Sequence, residues 1–377
     1  MEMFKAIFDA ERWASVPFGF WAGVMFVFGS MVGSFLNVCI YRMPLGLSVV
    51  SPPSHCPHCK YSIPWFLNVP LLTWLSLSGK CKNCRAPISP RYFLVELFTG
   101  LAFLACWLRF GRLSPWLALV YALFLAGLIV ATFIDFEHFI IPDEITLGGM
   151  AVGVVVSFLL PSLHEQPFLT GGMKESIIGL AVGAGLIYAI LRAGKLLFGR
   201  QRLAFPENTK VVFSETSVHL PDGDIPYEEL FYRKSDAVIL QAQTVELIDR
   251  GYKNVRVRLA LLGNKLEIGE DQFDPGTCQH MEVVTSEMVL PREAMGLGDV
   301  KFMAAIGAFL GWQAVVFTLM FSSMIGAAVG IGLIVIGKRE WSSRLPYGPY
   351  IAMAAAIWLF AGKAIMNYFF PSLVSPL

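Results

Sequence analysis

Two sets of side chains in this sequence have the type and spacing for chemistry. The first is a quartet of cysteines. Cys56-Pro57-His58-Cys59 and Cys81-Lys82-Asn83-Cys84 are two Cys-x-x-Cys pairs separated by 21 residues. Paired thiolates at that separation match a tetrathiolate metal site, and soft sulfur ligands in a tetrahedral set favour Zn2+ over calcium or magnesium. Four sulfurs leave no open position for water, so the site is expected to be structural. His55 and His58 are spare ligands that the site does not need. The second set is a pair of aspartates at the edges of apolar runs. Asp135 follows one such run, and Asp299 sits in Gly296-Leu297-Gly298-Asp299-Val300-Lys301 just ahead of another. From Phe302 to Gly337 there is no Asp, Glu, Lys or Arg. An acid at a membrane boundary is costly and invites a functional reading. Two carboxylates held close would share a proton, one acting as base on a water while the other donates to a carbonyl oxygen. Taken singly, each acid also reads as a helix cap or an interfacial charge, and Glu137, Asp143 and Glu144 are rivals for the same role. His138 reads as interfacial. Cys39 and Cys106 lie in apolar runs and read as inert buried thiols, and Cys278 is given no role.

The elements that must position these groups follow from composition. The chain has 377 residues, of which 55% are hydrophobic and 15% charged, against roughly 25% charged in soluble domains. It therefore reads as a polytopic α-helical membrane protein. Its net charge of +1 gives no polyanion signal and no case for nucleic acid. The first apolar run is too long, and lacks the small-x-small site, for a cleaved signal peptide. Spans are expected at about 17–41, 92–110, 114–134, 145–160 and 176–191. A hairpin is expected over 302–337 and a last span at about 347–369, giving about eight transmembrane helices. The hairpin is short for two full crossings, and a break near Gly307–Gly311 would shorten its first arm. Between the spans, residues 200–295 are polar and mildly acidic. Val211–Phe213, Asp236–Gln243, Val255–Leu261 and Met281–Leu290 read as strands, with turns at Pro221-Asp222-Gly223 and Gly251, so this segment reads as a small β-rich insert, α+β in class. No internal repeat is visible.

Five segments result. They are an N-terminal helix (1–44), a zinc-knuckle loop with the four cysteines (45–92), helices carrying the first aspartate (93–199), the insert (200–295), and the second aspartate with the last helices (296–377). Lys and Arg collect in the loop from Arg42 to Arg91, after the fifth span at Arg192, Lys195, Arg200 and Arg202, and after Gly337 at Lys338, Arg339 and Arg344. The positive-inside rule places all three in the cytoplasm, the N-terminus outside, and both Asp135 and Asp299 at cytoplasmic ends. A reducing compartment disfavours disulfides among the four cysteines.

Several stretches, in order, resemble the type IV prepilin leader peptidase/N-methyltransferase family. They are Gly33-Ser34-Phe35-Leu36-Asn37-Val38 with Tyr41-Arg42-Met43-Pro44, the two cysteine pairs, Arg91-Tyr92 with Leu94-Val95-Glu96-Leu97, Ile134-Asp135 with Ile141-Pro142-Asp143, Gly296 to Lys301, and Pro346-Tyr347-Gly348-Pro349-Tyr350. The resemblance spans essentially all of the chain outside about 200–290. It implies a bifunctional enzyme of type II secretion or type IV pilus assembly in the bacterial inner membrane. Such an enzyme cuts the basic leader from prepilins or pseudopilins and methylates the new N-terminal amine with S-adenosyl-L-methionine. It maps the catalytic aspartates onto Asp135 and Asp299. The methyl-donor residues are unknown, since no glycine-rich nucleotide loop follows a strand; by resemblance the loop 45–92 is the candidate region. Phe93 stands where the family often has Pro and Cys39 where an aliphatic residue is usual, and the insert is a large departure with docking of pseudopilins or secretion machinery as its expected role. Two alternatives are a Gly-x-Gly-Asp intramembrane protease without methylation and a non-enzymatic zinc-stabilised scaffold.

Overall fold

A computed structural model of the chain describes residues 16–198, 200–221, 223–231, 236–247, 250–277, 280–291, 296–336 and 345–369. Cys278 and the basic residues Lys338, Arg339 and Arg344 lie outside these. The chain divides into two compact units, one comprising Met1–Ile187 with Leu297–Leu377 and the other Tyr188–Gly296.

In chain order the first unit contains α1 (Phe18–Arg42), the five-residue α2 (Leu72–Ser76), α3 (Pro90–Phe110), α4 (Pro115–His138), α5 (Asp143–Leu159) and α6 (Leu169–Phe198), whose end enters the second unit. Helices α3 and α4 both start at Ser-Pro. Ser89 and Ser114 accept backbone N–H bonds from Arg91 and Leu117, and the proline fills a position that needs no donor.

The second unit is one eight-stranded antiparallel sheet among the described residues, in the order β3-β2-β1-β8-β4-β5-β6-β7. The strands are β1 (Arg200–Phe213), β2 (Ser217–Leu220), β3 (Gly223–Pro226), β4 (Val238–Leu247), β5 (Gly251–Ala260), β6 (Lys265–Ile268), β7 (Asp271–Phe273) and β8 (Met281–Pro291), with the short α7 (Tyr227–Leu230) after β3. Alternating residues fill its core, among them Val238, Leu240 and Ala242 on β4, Leu266 and Ile268 on β6, and Met281 and Val283 on β8. The β2–β3 hairpin is closed by an ion pair between His219 Nδ1 and Asp224 Oδ1 at 2.7 Å.

The first unit resumes with α8 (Leu297–Leu310), α9 (Trp312–Val335) and α10 (Gly348–Ile357), which continues through a π-helical turn at Trp358–Gly362 into α11 (Lys363–Phe369). Six helical stretches among the described residues are long and apolar enough to cross a membrane. The protein is a multi-pass membrane protein. Two of the expected eight spans are shorter: α5 has 17 residues and α8 has 14. Helix α8 stops at Gly311, whose φ of 81° reverses the chain into α9.

A helix of 14 residues is only about 21 Å long, short of a hydrocarbon core of about 30 Å. Its last carbonyls, like those of any helix end, need partners other than its own backbone. The fully buried Ser176 (α6) hydroxyl donates to the carbonyl of Ala308 at 2.8 Å, and the fully buried Ser157 (α5) hydroxyl, 2.7 Å from Gly153 O, lies 3.3 Å from the same Ala308 carbonyl and 2.9 Å from His164 Nε2. Two small-residue stripes let the neighbours close around α8. Gly149 and Gly153 of α5 face Ala305 and Ala308, while Gly179 and Gly183 of α6 face the backbone of Gly307 and Met303 so closely that any Cβ there would overlap it.

Candidate active site and metal centre

Asp135 lies in the last turn of α4, which runs on to His138. The expected span ended one residue before Asp135; the helix continues because a helix need not stop where its apolar stretch does. Asp135 is 5% exposed, and its Oδ2 accepts the backbone N–H of Gly348 at 2.9 Å. That donor is one of the unpaired N–H groups at the start of α10. Gly348 must lack a side chain: a Cβ there would lie 2.8 Å from Asp135 Oδ2. The turn is held by Tyr347, whose hydroxyl meets Ser322 Oγ and Ser323 Oγ of α9 at 2.8 and 3.0 Å.

Asp299 lies half-buried in the first turn of α8. Ile141 stands between the two aspartate-bearing segments. A Cβ on Gly298 would lie 3.6 Å from Ile141 Cβ, and one on Gly348 would lie 3.2 Å from Ile141 Cδ1. The start of α8, the start of α10 and the end of α4 thus meet around this one residue. Asp135 sits at the negative end of its helix dipole and Asp299 at the positive end of its own, so the two carboxyls stand in unlike fields. Glu137 pairs with Arg91 at the start of α3, and Asp143 Oδ1 lies 2.6 Å from Lys301 Nζ. Glu144 and His138 are exposed. Gly348 and Ile141 were not singled out as site residues from the sequence; the only signals were their places in Pro346–Tyr350 and Ile141-Pro142-Asp143.

The four cysteine sulfurs lie within 4.8 Å of one another. Cys56 and Cys84 are 3.8 Å apart at Sγ, and Cys59 and Cys81 are 4.0 Å apart. A tetrahedral metal with sulfur bonds of about 2.3 Å requires edges of about 3.8 Å, so the donor set fits a metal ion. The two knuckles are copies of one backbone turn. Cys56 N donates to Tyr61 O and Lys60 N to Cys56 O; equivalently, Cys81 N donates to Ala86 O and Arg85 N to Cys81 O. Lys60 and Arg85 both adopt left-handed φ, 57° and 61°, and the bridges His55–Ser62 and Lys80–Pro87 close each turn. A local structural repeat therefore exists where none was visible in the sequence, because the copies share only their cysteines and a basic residue. The Asn83 side-chain amide donates to Cys59 Sγ at 3.6 Å. This bond and the Tyr61 backbone N–H bring the Cys59 thiol down to about 6, which favours the ligating thiolate.

Other motif residues join this loop to the helices or the helices to one another. The buried Arg42 donates to Ser48 O and Pro52 O at 2.9 and 2.7 Å, and Asn37 Nδ2 donates to Tyr92 O at 3.0 Å. The buried Glu96 of α3 accepts the Leu71 N–H at 2.7 Å.

Together these features define a multi-pass membrane protein with two aspartates brought to a common helix junction and a four-cysteine centre at the ends of α1 and α3. Comparison with known sequences specifies it further. The model of the bacterial peptidase A24 N-terminal domain matches residues 27–110, and that of the type IV leader peptidase family matches 122–203 and 278–331. The chain belongs to the type IV leader peptidase family. It is 28% identical over 375 residues to a prepilin leader peptidase/N-methyltransferase of Aeromonas hydrophila, covering 92% of each chain. It is 32% identical over 316 residues to the protein of that name in Myxococcus xanthus, covering 84% of this chain and 64% of the relative. A type 4 prepilin-like proteins leader peptide-processing enzyme of Escherichia coli is 38% identical over 180 residues, covering 43% of this chain and 64% of that one. No solved structure matches.

Proposed function

We propose that this protein is a membrane aspartic endopeptidase that cleaves the leader of type IV prepilins or type II secretion pseudopilins. It then N-methylates the exposed terminal residue with S-adenosyl-L-methionine as methyl donor. The observation that carries the reading is the buried Asp135 on the Gly348 N–H, joined through Ile141 to Gly298 of the Gly-Leu-Gly-Asp segment. Asp135 and Asp299 are the catalytic pair. One carboxylate takes a proton from water as the water oxygen attacks the scissile carbonyl carbon, and the other carboxyl gives its proton to the carbonyl oxygen. As the tetrahedral intermediate collapses, the carboxyl that took the water's proton gives it to the leaving amine while the C–N bond breaks, and the other carboxylate takes back the hydroxyl proton as the carbonyl re-forms. Methyl transfer rests on the names of the relatives and on family membership.

The remaining parts of the reading concern placement. Helices α5 and α8 lie within the bilayer, making eight membrane helices, with α8 ending inside it. The cysteine loop, the insert and both aspartates face the cytoplasmic side of the inner membrane, a reading supported by the Lys and Arg that collect in the loops and by the lack of any acid between Arg42 and Arg91. The metal is Zn2+, held by Cys56, Cys59, Cys81 and Cys84 as a structural ion. The insert docks pseudopilins or other parts of the pilus or secretion machinery.

The test uses purified protein, a prepilin peptide and labelled S-adenosylmethionine, scoring cleavage and methylation separately. Asp135→Asn and Asp299→Asn are each expected to lower cleavage by about a thousandfold or more, with membrane insertion and metal content unchanged. Full cleavage by both variants would overturn the assignment of the two aspartates, and no cleavage by the unaltered protein would favour a scaffold. Cleavage without methylation by the unaltered protein would favour a protease of the Gly-x-Gly-Asp kind alone.

A further inference from the structure

Helix α2 lies deeper than a cytoplasmic loop should. Helix α3 has 21 residues, about 31 Å of helix, which is the whole thickness of a hydrocarbon core of about 30 Å. Its first residues, Pro90 and Arg91, therefore mark the membrane boundary. Glu96, which accepts the Leu71 N–H, is six residues further in, about 9 Å along the axis. The start of α2 is thereby tied below the headgroup layer. Its inner side is occupied: Trp74 packs on Phe93 with ring centroids 5.2 Å apart and fills the space above Gly79. Its outer side is apolar and exposed, with Leu72 66% and Leu75 55% accessible, one turn apart, and Val69 beside them at 39%. Basic side chains are exposed elsewhere on the same loop. Lys82 Nζ sits 5.7 Å from the Phe66 ring centroid, and Lys60, Lys80 and Arg85 are exposed on the same knuckles. Not one acid occurs between Arg42 and Arg91.

We infer that the cysteine loop is a lipid-binding surface: Val69, Leu72 and Leu75 enter the acyl boundary of the bilayer while Lys60, Lys80, Lys82 and Arg85 hold the phosphates of anionic lipids. An apolar stripe at acyl depth beside an acid-free basic surface is what an interfacial element presents. A basic leader peptide would be repelled by the same surface, which sets the anionic bilayer apart as its partner. The metal centre acquires a second consequence: by folding the knuckles it holds the four cations at headgroup height. The inference rests on the membrane reading and on a metal in the four-cysteine site, and takes from the proposed function only the basic charge of the leader.

The experiment is hydrogen exchange on the full-length, metal-loaded protein in nanodiscs of phosphatidylglycerol or of phosphatidylcholine, at low and high salt. Amides of 66–77 are expected to exchange about tenfold more slowly in phosphatidylglycerol, with the difference lost at high salt. The combined variant Lys60→Asn, Lys80→Gln, Lys82→Gln, Arg85→Asn keeps residues that tolerate left-handed φ and is expected to lose the difference while retaining bound metal. Leu72→Ser with Leu75→Ser is expected to raise exchange in both lipids. Equal exchange in the two lipids by the metal-loaded parent would overturn the proposal. So would protection that appears only on adding S-adenosylmethionine or a prepilin peptide, which would assign the face to that ligand.

Discussion

The cysteine loop and the insert both stand outside the membrane helices, and they are held together by different physics. The loop has almost no apolar interior. Its only buried hydrophobic side chains among the described residues are the thiols of Cys56 and Cys81, and Trp74 is half-buried. The insert holds no cysteine among its described residues and instead buries a continuous sheet core, from Val211 and Phe213 on β1 to Met288 and Leu290 on β8. A short segment that cannot bury enough apolar surface to offset chain entropy needs an external crosslink, whereas a sheet of eight strands does not. The contrast predicts that each can be destroyed without harming the other.

The largest effect is expected from metal removal. Chelation, or Cys59→Ser with Cys81→Ser, should unfold residues 45–89, since a structural zinc contributes about 10–16 kcal/mol to small domains of this type. Limited proteolysis should then cut within the loop while the insert keeps its protection. A loop that resists protease without metal would erase the contrast. Next in size is Leu266→Ala in the insert, where the side chain is 1% exposed. Large-to-small changes at such sites cost about 2–5 kcal/mol. Proteolysis should shift into 200–291, with metal content and cleavage of a short prepilin peptide unchanged while docking of full-length pseudopilins or machinery is lost. Loss of cleavage would show that the insert serves the active site. Smaller again is Trp74→Ala. With the metal bound the knuckles should stay folded, but the loss of packing on Phe93 should raise exchange of the Leu71 amide several-fold. Complete unfolding by Trp74→Ala in the presence of metal would mean that the loop, like the insert, depends on an apolar core.

The sequence made these regions legible to different degrees for physical reasons. Metal ligands and acids announce themselves because their chemistry requires particular side chains at particular spacings, so the cysteine pairs, Asp135 and Asp299 stand out as candidates in the sequence. Gly348 was not, because its contribution is a backbone N–H delivered to a residue 213 positions away, and a backbone donor has no side-chain signature. Ile141 is an ordinary aliphatic whose importance is positional. Long alternating stretches revealed β4, β5 and β8, but β2, β3, β6 and β7, of three or four residues each, are too short for a period of two to stand out. The brevity of α8 was foreshadowed by Gly311, whereas the seryl hydroxyls that meet its end, Ser157 and Ser176, belong to two other helices and could only be found in three dimensions.

The smallest predicted effect sharpens the comparison most. Arg258 and Glu267 are direct partners across β5 and β6, with Nη1 and Oε2 3.5 Å apart and side chains 47% and 29% exposed. Cross-strand charge pairs of this kind look like fastenings. Their attraction is weakened by water and salt, and fixing two long side chains costs entropy that offsets it. On the opposite face of the same two strands Val257 and Leu259 pair with Ile268 and Leu266, all at most 4% exposed. If the apolar face holds the sheet, Arg258→Gln should leave the unfolding midpoint of the insert within error at both low and high salt, while Leu266→Ala lowers it sharply. A large, salt-dependent drop for Arg258→Gln would show instead that the insert leans on surface charge. The difference between the two regions would then lie not in core against metal, but in which polar crosslink each one uses.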